Sequence, residues 1–229
     1  MRVEVFSDIA CPWCYVGQVR FERALSEYAG MHGTTVLHCP YQLNPGLPEE
    51  PQPLLDYYVH RYGTAFRDRQ AAVADVASTE GLKLHLQRAL AVNTFTAHRL
   101  LWLAEHEYGA ATQRDVKHAL MRTYLTDGGD TADRETLAAL AAQAGMDRDR
   151  VRTALAGDTG AAEVREGLRL AQDLGIRSVP TFVFDGRYIA QGAQDVAVFR
   201  RVLEQLRAEG QTAGSERVAP VCAKGARTA

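Results

Sequence analysis

Residues Cys11-Pro12-Trp13-Cys14 constrain this chain more than any other stretch, because they stand between a short apolar segment, Val3-Glu4-Val5-Phe6, and an amphipathic run from Tyr15 to Ala29. The pattern predicts a buried strand, a link through Ser7-Asp8, and a helix whose first turn carries both thiols. A helix N-terminus presents unpaired N–H groups and a partial positive charge, which favour a thiolate over a neutral thiol. Cys11 is therefore the expected nucleophile. Pro12 suits the first helical position, where its missing N–H sacrifices no hydrogen bond and its fixed φ is already helical. Cys14, one turn further on, is placed to attack a mixed disulfide on Cys11 and release the partner as a thiol.

The CxxC spacing also serves zinc sites and structural disulfides. A tetrahedral zinc site needs further ligands, and no second CxxC or CxxH occurs; His32, His38 and Cys39 are the nearby candidates. No metal is expected. Four cysteines in 229 residues do not make a disulfide scaffold, and in a reducing compartment a CxxC is more often catalytic than structural. The first ten residues hold one arginine and pass straight into a strand pattern, without the apolar core and cleavage site of a signal peptide, and no apolar run approaches bilayer length. A cytoplasmic location is expected. A net charge of −2 with 46% apolar residues gives no reason to expect nucleic acid or a membrane as partner.

Along the first helix, Phe21, Ala24, Leu25 and Tyr28 fall on one face, with Gly30 as a stop. Thr34 to Tyr41, rich in β-branched and aromatic residues, reads as a second strand. This β-α-β unit implies two parallel strands. Pro40, Pro45, Pro48, Pro51 and Pro53 then interrupt regular structure. From Leu54 to Leu174 the pattern is almost wholly helical. Leu55, Tyr58, Val59, Tyr62 and Phe66 share a face, as do Ala97, Leu101, Ala104 and Tyr108, and Leu137, Leu140, Ala141 and Ala144. Gly81, Gly109, Gly128-Gly129, Gly145 and Gly157 punctuate this block, Asp133 and Asp147 are N-cap residues, and Leu82-Lys83-Leu84-His85-Leu86 reads as an extended connector. Five or six helices are expected. Val164, Leu168, Ala171 and Leu174 end the block at Gly175. Thr181–Phe184 and Arg187–Ala190 then flank Asp185-Gly186, a two-residue type I′ hairpin. A last helix carries Val196, Phe199, Leu203 and Leu206, and residues 210–229 are expected to form a mobile tail.

The order β-α-β, helical block, β-β-α defines an α/β chain with a thioredoxin-like fold interrupted by a large all-helical insertion. Residues 1–50 and 175–209 are expected to form the thioredoxin-like domain, and 51–174 the insertion. With CPWC opening the first helix and Ser178-Val179-Pro180-Thr181 before the third strand, the chain resembles the DsbA-like thiol–disulfide oxidoreductases. Ser7 to Tyr15, Gln42-Leu43-Asn44-Pro45, Asn93-Thr94 with Ala97-His98-Arg99-Leu100, and Val179 to Val183 with Gly192-Ala193-Gln194 are similar to the FrnE-type branch of that family. The resemblance implies a cis Pro180 facing the cysteines, which leaves the backbone of Val179 to pair with an extended substrate and keeps metals from the thiols. It also places His98 in the cleft between the helical block and the cysteines. Trp13, between the thiols, is expected to be exposed, where it packs on substrate or only shields the disulfide. Asp8 and Tyr15 match the family pattern, although loop and helix-start chemistry explains both.

The substrate-binding set expected beside Cys11 and Cys14 is thus Pro12, Trp13, Val179, Pro180 and His98. No acid–base partner is evident, since the first strand offers only Glu4. Cys39 reads as a small buried hydrophobe; Cys222 is either a lone tail thiol or half of a second redox pair. The expected activity is thiol–disulfide exchange or disulfide isomerisation on a protein or small-molecule substrate, with no cofactor beyond the Cys11–Cys14 disulfide and with glutathione as a candidate co-substrate. Two alternatives stand beside it. Glutathione-dependent isomerases and kappa-class transferases share the fold but typically carry serine at the first motif position. A non-catalytic zinc-binding or interaction protein is the other.

Overall fold

The computed structural model describes residues 1–28, 33–47 and 50–212, with side chains through Glu209. Gly30, His32, Pro48, Cys222 and most of the expected tail lie outside the described residues. The chain opens as β1 (Arg2–Ser7), α1 (Pro12–Ser26) and β2 (Thr35–Pro40), and returns after the helical block as β5 (Thr181–Phe184), β6 (Tyr188–Gln191) and α9 (Val196–Thr212). These strands form one sheet in the order β2-β1-β5-β6. β1 runs parallel to β2, with Val5 opposite His38, and antiparallel to β5, with Val5 opposite Phe182. The parallel pair is the one the β-α-β pattern predicts.

Alternation along β1 sorts the sheet's two faces. Val3 and Val5 join Phe182, Phe184, Phe21 of α1 and Phe199 of α9 in one cluster, where Phe182 and Phe199 meet with ring centroids 4.7 Å apart. Phe6 and Val183 face the other way, with Cys39, Ala171 and Ile176. Cys39 is buried, but it is disulfide-bonded and so is not the plain small hydrophobe expected from its place in the strand. Glu4 shares the face of Phe6, away from α1.

Between β2 and β5 lie α2 (Leu54–Tyr62), α3 (Ala65–Thr79), α4 (Phe95–Leu103), α5 (Ala110–Arg122), α6 (Arg134–Gln143), α7 (Arg148–Ala156) and α8 (Ala161–Asp173), together with the two-residue strands β3 (Gln52–Pro53) and β4 (Leu90–Ala91). Among the described residues seven α-helices thus replace the five or six expected. One added break is at Gly63, whose φ of 78° ends α2 in a conformation that favours glycine. Tyr58 still stacks on Phe66 across that break, with centroids 5.0 Å apart, so the expected aromatic face exists but spans two helices. Asp133 and Asp147 cap α6 and α7 by accepting the backbone N–H of Thr136 and Arg150. The β5–β6 hairpin pairs Phe184 with Tyr188, so three residues form the link instead of two. Asp185 and Gly186 nevertheless take the two positive φ values, 48° and 68°, of a type I′ turn.

The largest hydrophobic cluster crosses the boundary between the two parts of the chain. Ile9, Cys11, Cys14 and Tyr15 pack in it with Leu100, Val116, Leu120, Met121 and Tyr124 of the helical block. A second contact seals the edge strand: His38 donates its backbone N–H to Gln113 Oε1 at 2.8 Å, and Gln113 Nε2 donates to the His38 carbonyl at 3.0 Å. The amide of α5 thereby supplies both bonds that a further strand would make. Gln113→Leu leaves two buried backbone groups unpaired, and we expect it to lower unfolding free energy by about 2–4 kcal/mol in urea denaturation.

Candidate active site

Cys11 is the N-cap of α1, with extended backbone angles (φ −93°, ψ 111°), and Pro12 follows in the first helical turn. The Cys14 and Tyr15 amides both donate to the Cys11 carbonyl, at 3.0 and 3.3 Å. No acidic side chain occupies the first turn, so the field of the helix N-terminus is left uncompensated there. Both cysteines are free thiols and buried, whereas Trp13 between them is 43% exposed. Burial pushes the Cys14 thiol well above its usual range, helped by the hydrogen bond and charge of Cys11 and opposed by Lys117. Cys14 is therefore held protonated at neutral pH.

The Val179-Pro180 peptide bond is cis. Pro180 lies against α1 just beyond the cysteines, at a position set by Gly17: a Cβ there would stand 2.8 Å from Pro180 Cγ and 3.3 Å from Ala193 Cα. Among the described residues Val179 makes no backbone hydrogen bond, which leaves its amide and carbonyl available.

His98 has a different place from the one expected. It is 2% exposed and lines a pocket between β2 and the helical block, with His38, Pro40 and Leu101, in whose lining neither cysteine takes part. Its Nε2–H donates to the Tyr41 carbonyl at 3.0 Å and stands 3.4 Å from Asp8 Oδ1. Asp8 Oδ2 in turn accepts the Leu43 amide at 2.8 Å. Burial alone would raise the Asp8 pKa, but the His98 contact, the Leu43 amide and Thr94 together hold it below the usual carboxylate range. Burial pushes His98 down despite Asp8. Asp8 and His98 thus position the loop that precedes Cys11. The loop after β2, which Asp8 holds through Leu43, is in turn tied to the helical block, where Gln42 Nε2 donates to Asn93 Oδ1 at 2.9 Å and Asn93 Nδ2 donates to the Pro45 and Leu47 carbonyls at 2.9 and 3.0 Å. Sequence stretches more than 50 residues apart therefore meet beside the thiols.

Sequence reasoning missed Lys117. This α5 side chain is fully buried and donates from Nζ to Ser7 Oγ at 2.8 Å. Ser7 follows Val3 and Val5 on the α1 face of the sheet, so the ammonium sits on the cysteines' side. Burial lowers Lys117 from an ordinary 10.5 to about 8, against the pull of Cys14, Asp8 and Cys11. A signal for it exists in the spacing: Gln113, Val116, Lys117 and Leu120 share the buried face of α5, so two polar residues interrupt an apolar stripe. Glu4, by contrast, is bound by Arg2 at 3.0 Å on the opposite face. Among the described residues, no group of three His, Cys, Asp or Glu side chains is arranged to hold a metal ion.

A parallel β1-β2 pair extended by an antiparallel hairpin, with a CxxC at the N-terminus of α1 and a cis-proline beside it, defines a thioredoxin-like protein carrying a helical insertion. Residues 2–204 match the DSBA-like thioredoxin domain model, and the chain belongs to that family. Among solved structures it is similar to the probable DsbA oxidoreductase of Streptomyces coelicolor, with 38% identity, TM-score 0.83 and 91% of each chain covered. It is similar in fold to the cytosolic disulfide reductase DsbM of Pseudomonas aeruginosa, at 22% identity and TM-score 0.62 over 91% of this chain and 100% of that one. A 2-hydroxychromene-2-carboxylate isomerase shares the fold at 17% identity and TM-score 0.66, over 94% and 100% of the chains.

The buried imidazoles give stability a pH slope. Burial depresses both His38 and His98, so below the unfolded value of about 6.5 the unfolded chain binds protons that the folded one refuses. Stability is fully present above that value and is lost as pH falls. Neither ring nitrogen of His38 has a partner among the described residues. Urea denaturation should show stability falling from about pH 7 to about pH 5, and His38→Leu should flatten that fall; a slope unchanged by the substitution contradicts this assignment.

Proposed function

We propose that the protein is a thiol–disulfide oxidoreductase working through Cys11 and Cys14. The observation that carries this reading is the asymmetry of the pair. Cys11 stands at the N-cap of α1, at the open end of the helix, while Cys14 is one turn inside and held protonated by burial. In the reducing direction, Cys11 thiolate attacks a substrate disulfide; one substrate sulfur leaves as a thiolate with the bonding electron pair, and a mixed disulfide remains on Cys11. Cys14 then loses its proton and attacks Cys11 Sγ. The Cys11–Cys14 bond forms as the second substrate sulfur departs and is protonated from water. The substrate gains two electrons and the protein loses them. The oxidising direction is the reverse, and the glutathione poise of the compartment selects between them.

Trp13, Pro12, Val179 and Pro180 form the substrate face in this reading. The open backbone of Val179 suits an extended strand-like partner, and exposed Trp13 supplies an apolar platform. A glutathione mixed disulfide is a peptide of that kind, and the P. aeruginosa reductase has been solved with GSH. We infer the same substrate class here, within the FrnE-type branch that the motifs indicate. Among the described residues no helix is long and apolar enough to cross a membrane, and with a cytosolic reductase among its structural neighbours we assign the activity to the cytoplasm.

Cys14→Ser should accumulate a stable mixed disulfide on Cys11 when mixed with oxidised glutathione, and Cys11→Ser should form none, as read by intact mass after acid quench. Both variants should lose disulfide turnover by at least about 100-fold. Retained turnover in Cys14→Ser would overturn the dithiol mechanism in favour of a glutathione-dependent isomerase or transferase.

A further inference from the structure

A buried lysine is a costly residue, and among the described residues Lys117 Nζ has one hydrogen-bond partner, the Ser7 hydroxyl. Among the described residues no carboxylate approaches its Nζ within ion-pair distance. Packing does not call for an amine here, since Val116, Leu120 and Met121 fill the same face of α5 with apolar side chains. The Ser7 hydroxyl that holds the ammonium belongs to the residue before Asp8, whose carbonyl accepts the Cys11 amide at 3.2 Å, so the ammonium stands at the base of the turn that carries the reaction site. Cys14 and Cys11 come from α1, Asp8 and Ser7 from β1 and the turn after it, His38 from β2 and His98 from α4, and of these the strongest charge coupling is with Cys14. Asp8 is already engaged by Leu43 and His98, and His38 and His98 are held neutral.

We propose that Lys117, delivered by the helical insertion, is the buried counter-charge for the Cys14 thiolate during resolution of the mixed disulfide, a positioning residue for the second half of the exchange. The inference rests on the dithiol mechanism above. In the second step Cys14 loses its proton to solvent and becomes an anion inside the protein, one turn away from the helix N-terminus that serves Cys11. An ammonium held by Ser7 on the same side of the sheet lowers the cost of that anion. When the Cys11–Cys14 bond has formed the anion is gone. The insertion thus reaches into the chemistry of the thioredoxin half through one side chain.

The test follows both steps in the reduced full-length protein mixed with 5,5′-dithiobis(2-nitrobenzoate). Attack by Cys11 releases one thionitrobenzoate anion, and attack by Cys14 on the resulting mixed disulfide releases a second. Lys117→Met should slow the second release by about 10-fold or more at pH 7 and the first by much less, with the gap narrowing as pH rises past about 8 and the wild-type lysine loses its charge. Thermal stability should be kept or raised, because the substitution removes a buried charge. Lys117→Gln, which retains a bond to Ser7 without the charge, should behave like Lys117→Met. A second release within about twofold of wild type at every pH, or equal slowing of both releases together with a lower melting temperature, would overturn the proposal. Absence of a second release in the wild-type protein would instead overturn the dithiol mechanism beneath it.

Discussion

The first turn of α1 is packed between the sheet below it and the helical block beside it, and most of what is particular about this molecule follows from that burial. A helix N-terminus in water has its partial charge screened; here Cys11 and Cys14 sit in a hydrophobic cluster with Leu100, Leu120 and Tyr124, where fixed dipoles act with little screening. The same burial that strengthens the field at Cys11 penalises an anion at Cys14. Two chemically identical thiols are thereby placed in unequal surroundings, which is what the proposed exchange requires. Lys117 enters this environment at a cost on the order of 3 kcal/mol for its depressed pKa, a cost that packing alone does not explain.

Around that turn, polar residues act mainly as fasteners. Asp8 and His98 hold the β1–α1 turn to the loop after β2, and Gln42 and Asn93 hold that loop to the start of α4. Gly17 removes the one side chain that would keep Pro180 off the helix. The dispersed motifs of the sequence therefore become one scaffold, whose product is the relative position of Cys11, Trp13 and the Val179 backbone. Gln113 plays the equivalent part for the sheet by capping its edge at His38. It lies one helical turn before Lys117, so α5 both closes the sheet and supplies the buried charge.

The parallel β1-β2 pair and the returning hairpin were legible because each rests on local pattern: a β-α-β unit around the CxxC and a D-G turn on return. The placement of the two cysteines was legible for the same reason, since helix start and thiol spacing are both local. Less legible were features that depend on what packs across the fold. Gly63 split a helix whose aromatic periodicity ran on without interruption, because stacking of Tyr58 on Phe66 preserves that periodicity across the break. His98 reads in sequence as a cleft residue and is instead buried against Asp8, a partner 90 residues away in the chain. Lys117 is the clearest case. Charged residues on an amphipathic helix are normally assigned to solvent, and only its place between Val116 and Leu120 marks it as inward.

The most direct measurement is equilibration of the wild-type protein in graded mixtures of reduced and oxidised glutathione, followed by acid quench, alkylation and mass analysis of the peptide containing Cys11 and Cys14. An account built on two unequal thiols predicts a single reversible two-electron transition to an internal Cys11–Cys14 disulfide, with mixed disulfide on Cys11 only as a minor species. A stable glutathione adduct on Cys11 with Cys14 still reduced across the whole range would contradict it.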